Sequence, residues 1–321
     1  MKIRLIVLIL LCTPFIGISQ QKDTLIHKLD SLSKKTDSAG GQINNINPQA
    51  YNEKTKITAN TYFKLLGSDL KQAFTKPFHM EHKDWVRFGK FAIVTGALIF
   101  ADEPIQRFAY KTTTNNPGIK KISKAITSFG GLTEIYTLTA FGAYGIIFKK
   151  EKMITTTLLA TQAYLTAGAV ESVVKYLSGR TRPSVYGNGV DAEPKFLGPF
   201  SKTTKDVNGK KIYSSFPSGH TTVIFAAATV FAKEYYNQPL IPIIAYSMAT
   251  LVGISRVVEN VHWTTDVVVG AALGYLSGRL VVNNYHRYAK IKAPNQNKNT
   301  ISFNLGYNHG TIMPGMIYKF K

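Results

Sequence analysis

The chain has 321 residues, 45% hydrophobic and 18% charged, with a formal charge of +21. That balance suits one large core or two modest domains and excludes a wholly disordered polymer. The positive excess selects anionic partners, and a single cysteine, Cys12, excludes a disulfide framework.

The N-terminus opens with Lys2 and Arg4, an apolar run from Leu5 to Leu11, and the small residues Gly17 and Ser19. This is a secretory signal pattern with cleavage expected after Ser19, so the mature chain is exported. Leu11 stands before Cys12 where a lipoprotein signal wants a small residue, which argues against lipidation. Residues 20–58 are polar and read as a linker or loosely ordered arm. Tyr62, Phe63, Leu66, Leu70 and Phe74 then recur at helical spacing with Lys64, Asp69 and Lys71 between them. They predict an amphipathic helix lying on a core or on a membrane surface.

Six apolar stretches follow, near 88–102, 135–148, 153–173, 221–232, 240–254 and 266–282. Each is too long for a typical strand and none alternates, so all six are expected as helices. A membrane span needs about 20 predominantly apolar residues. These runs are shorter or carry Thr, Gln, Glu or Lys, and fit a buried bundle at least as well. In the tail, Ile301, Phe303, Leu305 and Tyr307 alternate with polar residues. His309-Gly310 can turn the chain into a second short run at 317–320, which predicts a β-hairpin after the linker 290–299. The expected architecture is all-α: six bundled helices, an N-terminal amphipathic helix and a short C-terminal hairpin. Its boundaries are 1–19 for the signal, 20–58 for the polar arm, 59–288 for the main domain and 289–321 for the tail.

Three clusters carry the chemistry: Lys175 through Arg182-Pro183; Phe216-Pro217-Ser218-Gly219-His220; and Ser255-Arg256 with His262 and Asp266. Written K-x6-RP, PSGH and SR-x5-H-x3-D, they are similar to the tripartite signature of the type 2 phosphatidic acid phosphatase family, PAP2. The resemblance covers roughly residues 85–285. It implies a nucleophile at His262, an acid/base at His220 and phosphate ligands at Lys175, Arg182, Ser218, Gly219 and Arg256. It also implies no metal and no cofactor.

The same residues make sense without the family. The first cluster ends the third helix, the second starts the fourth, and the third joins the fifth to the sixth. In an antiparallel bundle these points share one end. Pro217 suits the first turn of a helix, and a helix N-terminus at Ser218 and Gly219 favours phosphate. Arg182 and Arg256 match phosphate oxygens as forks, and Lys175 adds a point charge. His262 and Asp266 are four apart and would share a helix face. The carboxylate would then accept from Nδ1–H and leave Nε2 to attack phosphorus. His220 remains for proton transfer. Arg180, His79, His82, His286 and His309 are expected at the surface, and Glu259 is expected in a salt bridge.

The resulting expectation is a phosphatase of the cell envelope, membrane-associated with its site facing the periplasm. Its partners would be a phosphorylated lipid of phosphatidate, undecaprenyl diphosphate or lipid A type, or a small phosphate ester, together with an anionic membrane surface. Nucleic acid is not expected, and the oligomeric state is left open. The alternatives are a broad-specificity periplasmic acid phosphatase, a haloperoxidase holding vanadate in the same pocket, and a non-enzymatic binder of anionic lipid. A chain starting outside at Gln20 and crossing six times would put the catalytic turn in the cytoplasm. The number of spans therefore stays open.

Overall fold

The computed structural model describes residues 57–186, 192–199, 214–292, 300–308 and 311–319. The expected signal at 1–19, most of the polar arm and the His309-Gly310 turn lie outside the described residues. Eight α-helices are described: α1 Ala59–Thr75, α2 His82–Asn115, α3 Pro117–Ser128, α4 Leu132–Ile147, α5 Glu151–Ser178, α6 Gly219–Glu234, α7 Leu240–Val258 and α8 Thr264–Lys292. All six apolar stretches are helical, as is the 62–74 segment. Helix α3 was not expected; its polar face and short length hid it. The tail is a two-stranded antiparallel hairpin of β1 Thr300–Asn308 and β2 Thr311–Lys319, in register from Thr300↔Lys319 to Asn308↔Thr311.

Helix α6 is the centre, packed by α5, α7 and α8. Its buried alanines, Ala226 to Ala228, let neighbours come close. Helix α8 answers with Gly270, Gly274 and Gly278, spaced one turn apart. A Cβ at Gly270 would stand 2.8 Å from the Ser218 carbonyl oxygen, and one at Gly278 2.5 Å from that of Ala226. No side chain fits between these backbones, so the small residues fix the α6–α8 distance. Helix α5 stops at Gly179, whose φ of 54° is the left-handed cap that glycine adopts without strain.

Helix α1 docks differently from the expectation. Its buried positions are Leu65, Ser68, Asp69 and Gln72, whereas Phe63 is 68% exposed. Asp69 accepts from Asn284 Nδ2 at 2.8 Å, and Gln72 Nε2 donates to Asn284 Oδ1 at 3.0 Å. These polar bonds hold the helix and offset part of the cost of burying an amide and a carboxylate. Of the stripe, Phe63 and Phe74 are exposed, while Tyr62 reaches α5 through a 3.0 Å bond between its hydroxyl and Thr161 Oγ1.

Large apolar residues point outward on several helices, among them Ile93, Phe100 and Phe108 on α2, Tyr136 and Ile147 on α4, and Leu240 and Ile243 on α7. Among the described residues, two helices are long and apolar enough to cross a membrane: α7, and α8 over Thr264–Ala289. Exposed apolar faces on this scale mark a membrane-associated chain rather than a freely soluble one.

Candidate active site

The three sequence clusters meet at one end of the bundle, where α5 ends, α6 begins and α7 turns into α8. Lys175 stands in the last turn of α5, and Arg182 in the loop after it. Gly219 and His220 open α6, Arg256 ends α7, and His262 sits just before α8. Pro217 is not in the first turn of α6. It precedes the helix, after a cis peptide bond from Phe216, and Ser218 is the cap residue.

His262 is also not helical. Asn260, with φ of 57°, turns the chain back from α7, and His262 follows on the loop. Asn adopts this left-handed conformation more readily than other residues with a Cβ. His262 is 2% exposed, and its Nδ1 lies 2.7 Å from the Ser215 carbonyl oxygen. A carbonyl can only accept, so Nδ1 carries the proton and Nε2 keeps its lone pair. The nearest Asp266 oxygen is 3.5 Å from Nδ1. The expected direct Asp266 clamp is thus replaced by a backbone carbonyl.

Asp266, in the first turn of α8, organises the surroundings instead. Its Oδ2 accepts from Ser215 Oγ at 2.5 Å and from the Trp263 N–H at 2.9 Å. Its Oδ1 accepts from Arg180 Nη1 at 2.5 Å, and its carbonyl accepts from the Ser218 N–H at 3.0 Å. That last bond occupies the Ser218 amide, which the sequence reading had assigned to phosphate. The Ser218 hydroxyl accepts from Thr221 Oγ1 at 2.9 Å.

Arg180 reverses its surface assignment. It is fully buried, donates to Asp266 and to Asp102 Oδ2 at 2.6 Å, and stands over the rings of Phe196, Trp263 and Phe216. His286 is also buried and pairs with Glu234 at 2.9 Å, while His79 and His82 are exposed as expected. His309 lies outside the described residues.

The cations keep local partners. Lys175 Nζ pairs with Glu171. Arg182 donates through Nε and Nη2 to Ser214, each at 3.2 Å. Arg256 Nη1 donates to Glu259 Oε2 at 3.0 Å, the salt bridge expected of Glu259. Helix α3 braces that pair: Thr127 Oγ1 donates to Glu259 Oε1 at 2.5 Å. A cavity of about 510 Å³ opens between α5, the α3–α4 turn and the start of α6, with Tyr164, Glu171, Lys175, Gly219 and His220 in its wall. Gly130 and Gly131 back the His220 ring; a Cβ at Gly131 would come within 3.5 Å of its Nε2.

Burial pushes His220 down to about 4, and Arg256, Lys175 and Arg182 add to the depression. Burial pushes His262 down to about 3; Asp266 pulls it back up, while Arg182 and Lys175 push it further down. Three cations therefore act on one histidine and two of them on the other. This is the electrostatics of an anion site: two neutral imidazoles held under excess positive charge.

The sequence reading missed Asp102, Glu171, Thr127 and Ser215. A signal for the first existed. Asp102, Gln106, Ala109 and Thr113 are the buried positions of α2 and recur at helical spacing. This polar stripe faces the α7–α8 turn, with Gln106 Nε2 on Asn260 Oδ1 at 2.7 Å and Thr113 Oγ1 on the Val258 carbonyl at 3.0 Å.

Residues 156–290 match the model of the PAP2 superfamily. A lipid A 1-phosphatase of Porphyromonas gingivalis is 48% identical over 68 residues, covering 21% of this chain and 15% of that protein. A phosphatidylglycerophosphatase B of Bacillus subtilis is 27% identical over 193 residues, covering 58% of this chain and 83% of that one. The crystal structure of a transmembrane PAP2 type phosphatidylglycerolphosphate phosphatase from Bacillus subtilis aligns with a TM-score of 0.45 at 27% identity, over 61% of this chain and 92% of its own. The chain thus spans less than a fifth of the first of these relatives and most of the second.

Proposed function

We propose that this chain, whose residues 156–290 match the PAP2 superfamily, is a phosphatase of phosphorylated lipids of that family working through a phosphohistidine at His262. The observation that carries the reading is the bond from His262 Nδ1–H to the Ser215 carbonyl. It leaves Nε2 with its lone pair on a buried imidazole that feels the charges of Arg182 and Lys175, at the same end of the bundle as the cavity walled by Lys175 and His220.

A phosphate ester entering that cavity meets Lys175 and His220, and Arg182 and Arg256, whose charges also reach His220, turn from their present partners to its oxygens. The start of α6 adds its free N–H groups, Gly219 foremost. His262 Nε2 attacks phosphorus, and the P–O bond to the leaving group breaks. His220, which gains a proton once the bound phosphate offsets the cations around it, gives that proton to the leaving oxygen, and the cations stabilise the charge on the transferring phosphoryl group. Asp266 and the Ser215 carbonyl stabilise the imidazolium that results. In the second half His220 takes a proton from water, the water oxygen bonds phosphorus, and the P–N bond breaks to release phosphate. Arginine and lysine supply the charge stabilisation, so no metal or cofactor is invoked.

A lipid leaving group is favoured by the exposed apolar faces of α2, α4 and α7. It also agrees with what the relatives are named for: lipid A 1-phosphate, phosphatidylglycerophosphate and, in an archaeal relative from Sulfolobus acidocaldarius, undecaprenyl diphosphate. The proposal extends to export by the 1–19 signal, a phosphatase domain over 59–288 with a separate tail, a site facing the periplasm and attraction to anionic membrane surfaces through the +21 charge.

The test is a substrate panel on purified protein with chelator present. It compares a water-soluble monoester, phosphatidate, undecaprenyl diphosphate and lipid A. Turnover of at least one lipid in chelator, at a kcat/KM well above that for the soluble ester, is expected. Preference for the soluble ester would replace the lipid reading with a broad acid phosphatase, and loss of activity in chelator would overturn the metal-independent mechanism.

A further inference from the structure

Behind the nucleophile lies a buried charge cluster that no sequence motif announces. Asp102 is fully buried on α2, outside residues 156–290. Its Oδ1 accepts the Thr265 N–H at 2.9 Å, and its Oδ2 accepts from Thr265 Oγ1 at 2.5 Å and from Arg180 Nη2 at 2.6 Å. It therefore supplies a negative group to the N-terminus of α8 from a different helix, where the α8 dipole favours one. Arg180 in turn spans Asp102 and Asp266, and its own carbonyl accepts the Ser215 N–H at 3.0 Å. Ser215 is the residue whose carbonyl fixes His262 Nδ1. Both the partner of Nδ1 and the carboxylate beside it thus hang on Arg180, and Arg180 hangs on Asp102.

The charge count gives this arrangement a purpose beyond packing. Two carboxylates share one guanidinium, so the cluster has one formal negative charge in excess. Hydrophobic surroundings would ordinarily forbid an uncompensated buried charge. A lone spare carboxylate is costly while His262 is neutral and becomes balanced once His262 carries a positive charge. Lys175, Arg182 and Arg256 do not supply this balance, because they answer the phosphate.

We propose that Asp102, acting through Arg180, is a positioning residue for His262: it holds Asp266 and Ser215 in place and provides the negative charge that balances the imidazolium of the phosphoenzyme. The inference rests on the phosphohistidine reading above. It goes beyond that reading in extending the machinery to α2, outside the matched domain. Asp102 touches neither substrate nor phosphate, so its effect falls on the rate of phosphoryl transfer to His262 and not on phosphate affinity.

The experiment compares wild type with Asp102→Asn and Gln106→Ala in the full chain, each checked for an unchanged melting temperature within a few degrees. Gln106 sits one turn further along the same face of α2 and braces Asn260 without adding charge. Rapid-quench labelling with a ³²P-labelled lipid phosphate reads the rate of phosphoenzyme formation, and inhibition by inorganic phosphate reads anion affinity. Asp102→Asn should slow labelling about tenfold, the worth of one pKa unit on the imidazolium. Its inhibition constant for phosphate should stay within about twofold of wild type, and Gln106→Ala should label at the wild-type rate. Equal labelling rates in wild type and Asp102→Asn would overturn the proposal, as would equal slowing in both variants, which is the mark of a brace alone. A wild type that carries no label would remove the phosphohistidine reading and this proposal together, an outcome distinct from the other two.

Discussion

Helix α8 ends in a buried polar network at each side of the bundle, and the two networks do different work. At its C-terminal side Asn284 links Asp69 and Gln72, Arg287 Nη2 donates to Gln72 Oε1 at 3.0 Å, and His286 pairs with Glu234. At its N-terminal side Asp266 and Thr265 join Arg180, Asp102, Ser215 and His262. Both are buried, both contain a histidine and a carboxylate, and both tie α8 to a helix distant in sequence. Yet the C-terminal histidine is already bonded to a carboxylate, Glu234. The N-terminal side lies at the end of the bundle where the cavity opens, and Lys175 and Arg182 act on its histidine alongside Asp266. A buried His–carboxylate pair is thus not a site by itself; cations converging on an imidazole beside an accessible volume are what make one.

Substitutions can break this contrast. His262→Ala should abolish turnover, by about 10⁴-fold or more, since it removes the nitrogen that attacks phosphorus. Binding of lipid vesicles should survive. The equivalent change at the other end, His286→Ala, should leave kcat intact, and a collapse of kcat there would erase the distinction. Arg256→Ala should cost about 10²–10³-fold in kcat, the usual worth of one preorganised partner of a developing charge. Asn284→Ala should do the reverse. It leaves buried groups on Asp69 and Gln72 without their partner and should lower stability by about 1–3 kcal/mol, with unchanged turnover per folded molecule by active-site titration.

Acid sharpens the comparison further. His220 and His262 have folded-state values near 4 and 3, below the usual histidine range. Between pH 6.5 and about 4 the unfolded chain binds protons that the folded chain refuses, so stability falls as pH falls. Each histidine contributes at most about 1.4 kcal/mol per pH unit. Thermal melts from pH 7 to 4.5 should show this slope, and His262→Gln should reduce it. Bound inorganic phosphate should flatten it too, by supplying the anion that the site lacks. A slope unaffected by either change would contradict the picture of neutral imidazoles under positive charge.

Much of this was legible in the residues, for a physical reason. Helix periodicity and the three clusters sit in contiguous sequence, so the six helices, the convergence of their ends and the tail hairpin follow from local pattern. The misreadings share a cause as well. Arg180 looked like a surface charge because burial of a charge depends on partners far away, here Asp102 on α2. The polar docking of helix α1 was not legible, because the partner of Asp69 and Gln72, Asn284, lies more than 200 residues on. The Nδ1 partner of His262 was misassigned because a backbone carbonyl leaves no trace in a motif. Long-range polar pairing is set by tertiary geometry, and single-chain pattern has no record of it.

The central claim, a covalent phosphate on His262, is open to one direct measurement. Wild-type protein is mixed with a ³²P-labelled lipid phosphate in chelator, quenched in alkali and digested, and the labelled peptide is identified. The account predicts one alkali-stable, acid-labile label, on the peptide containing His262 and at a rate fast enough to lie on the path to phosphate release. No label during rapid turnover, or a label that remains in His262→Ala, would contradict it.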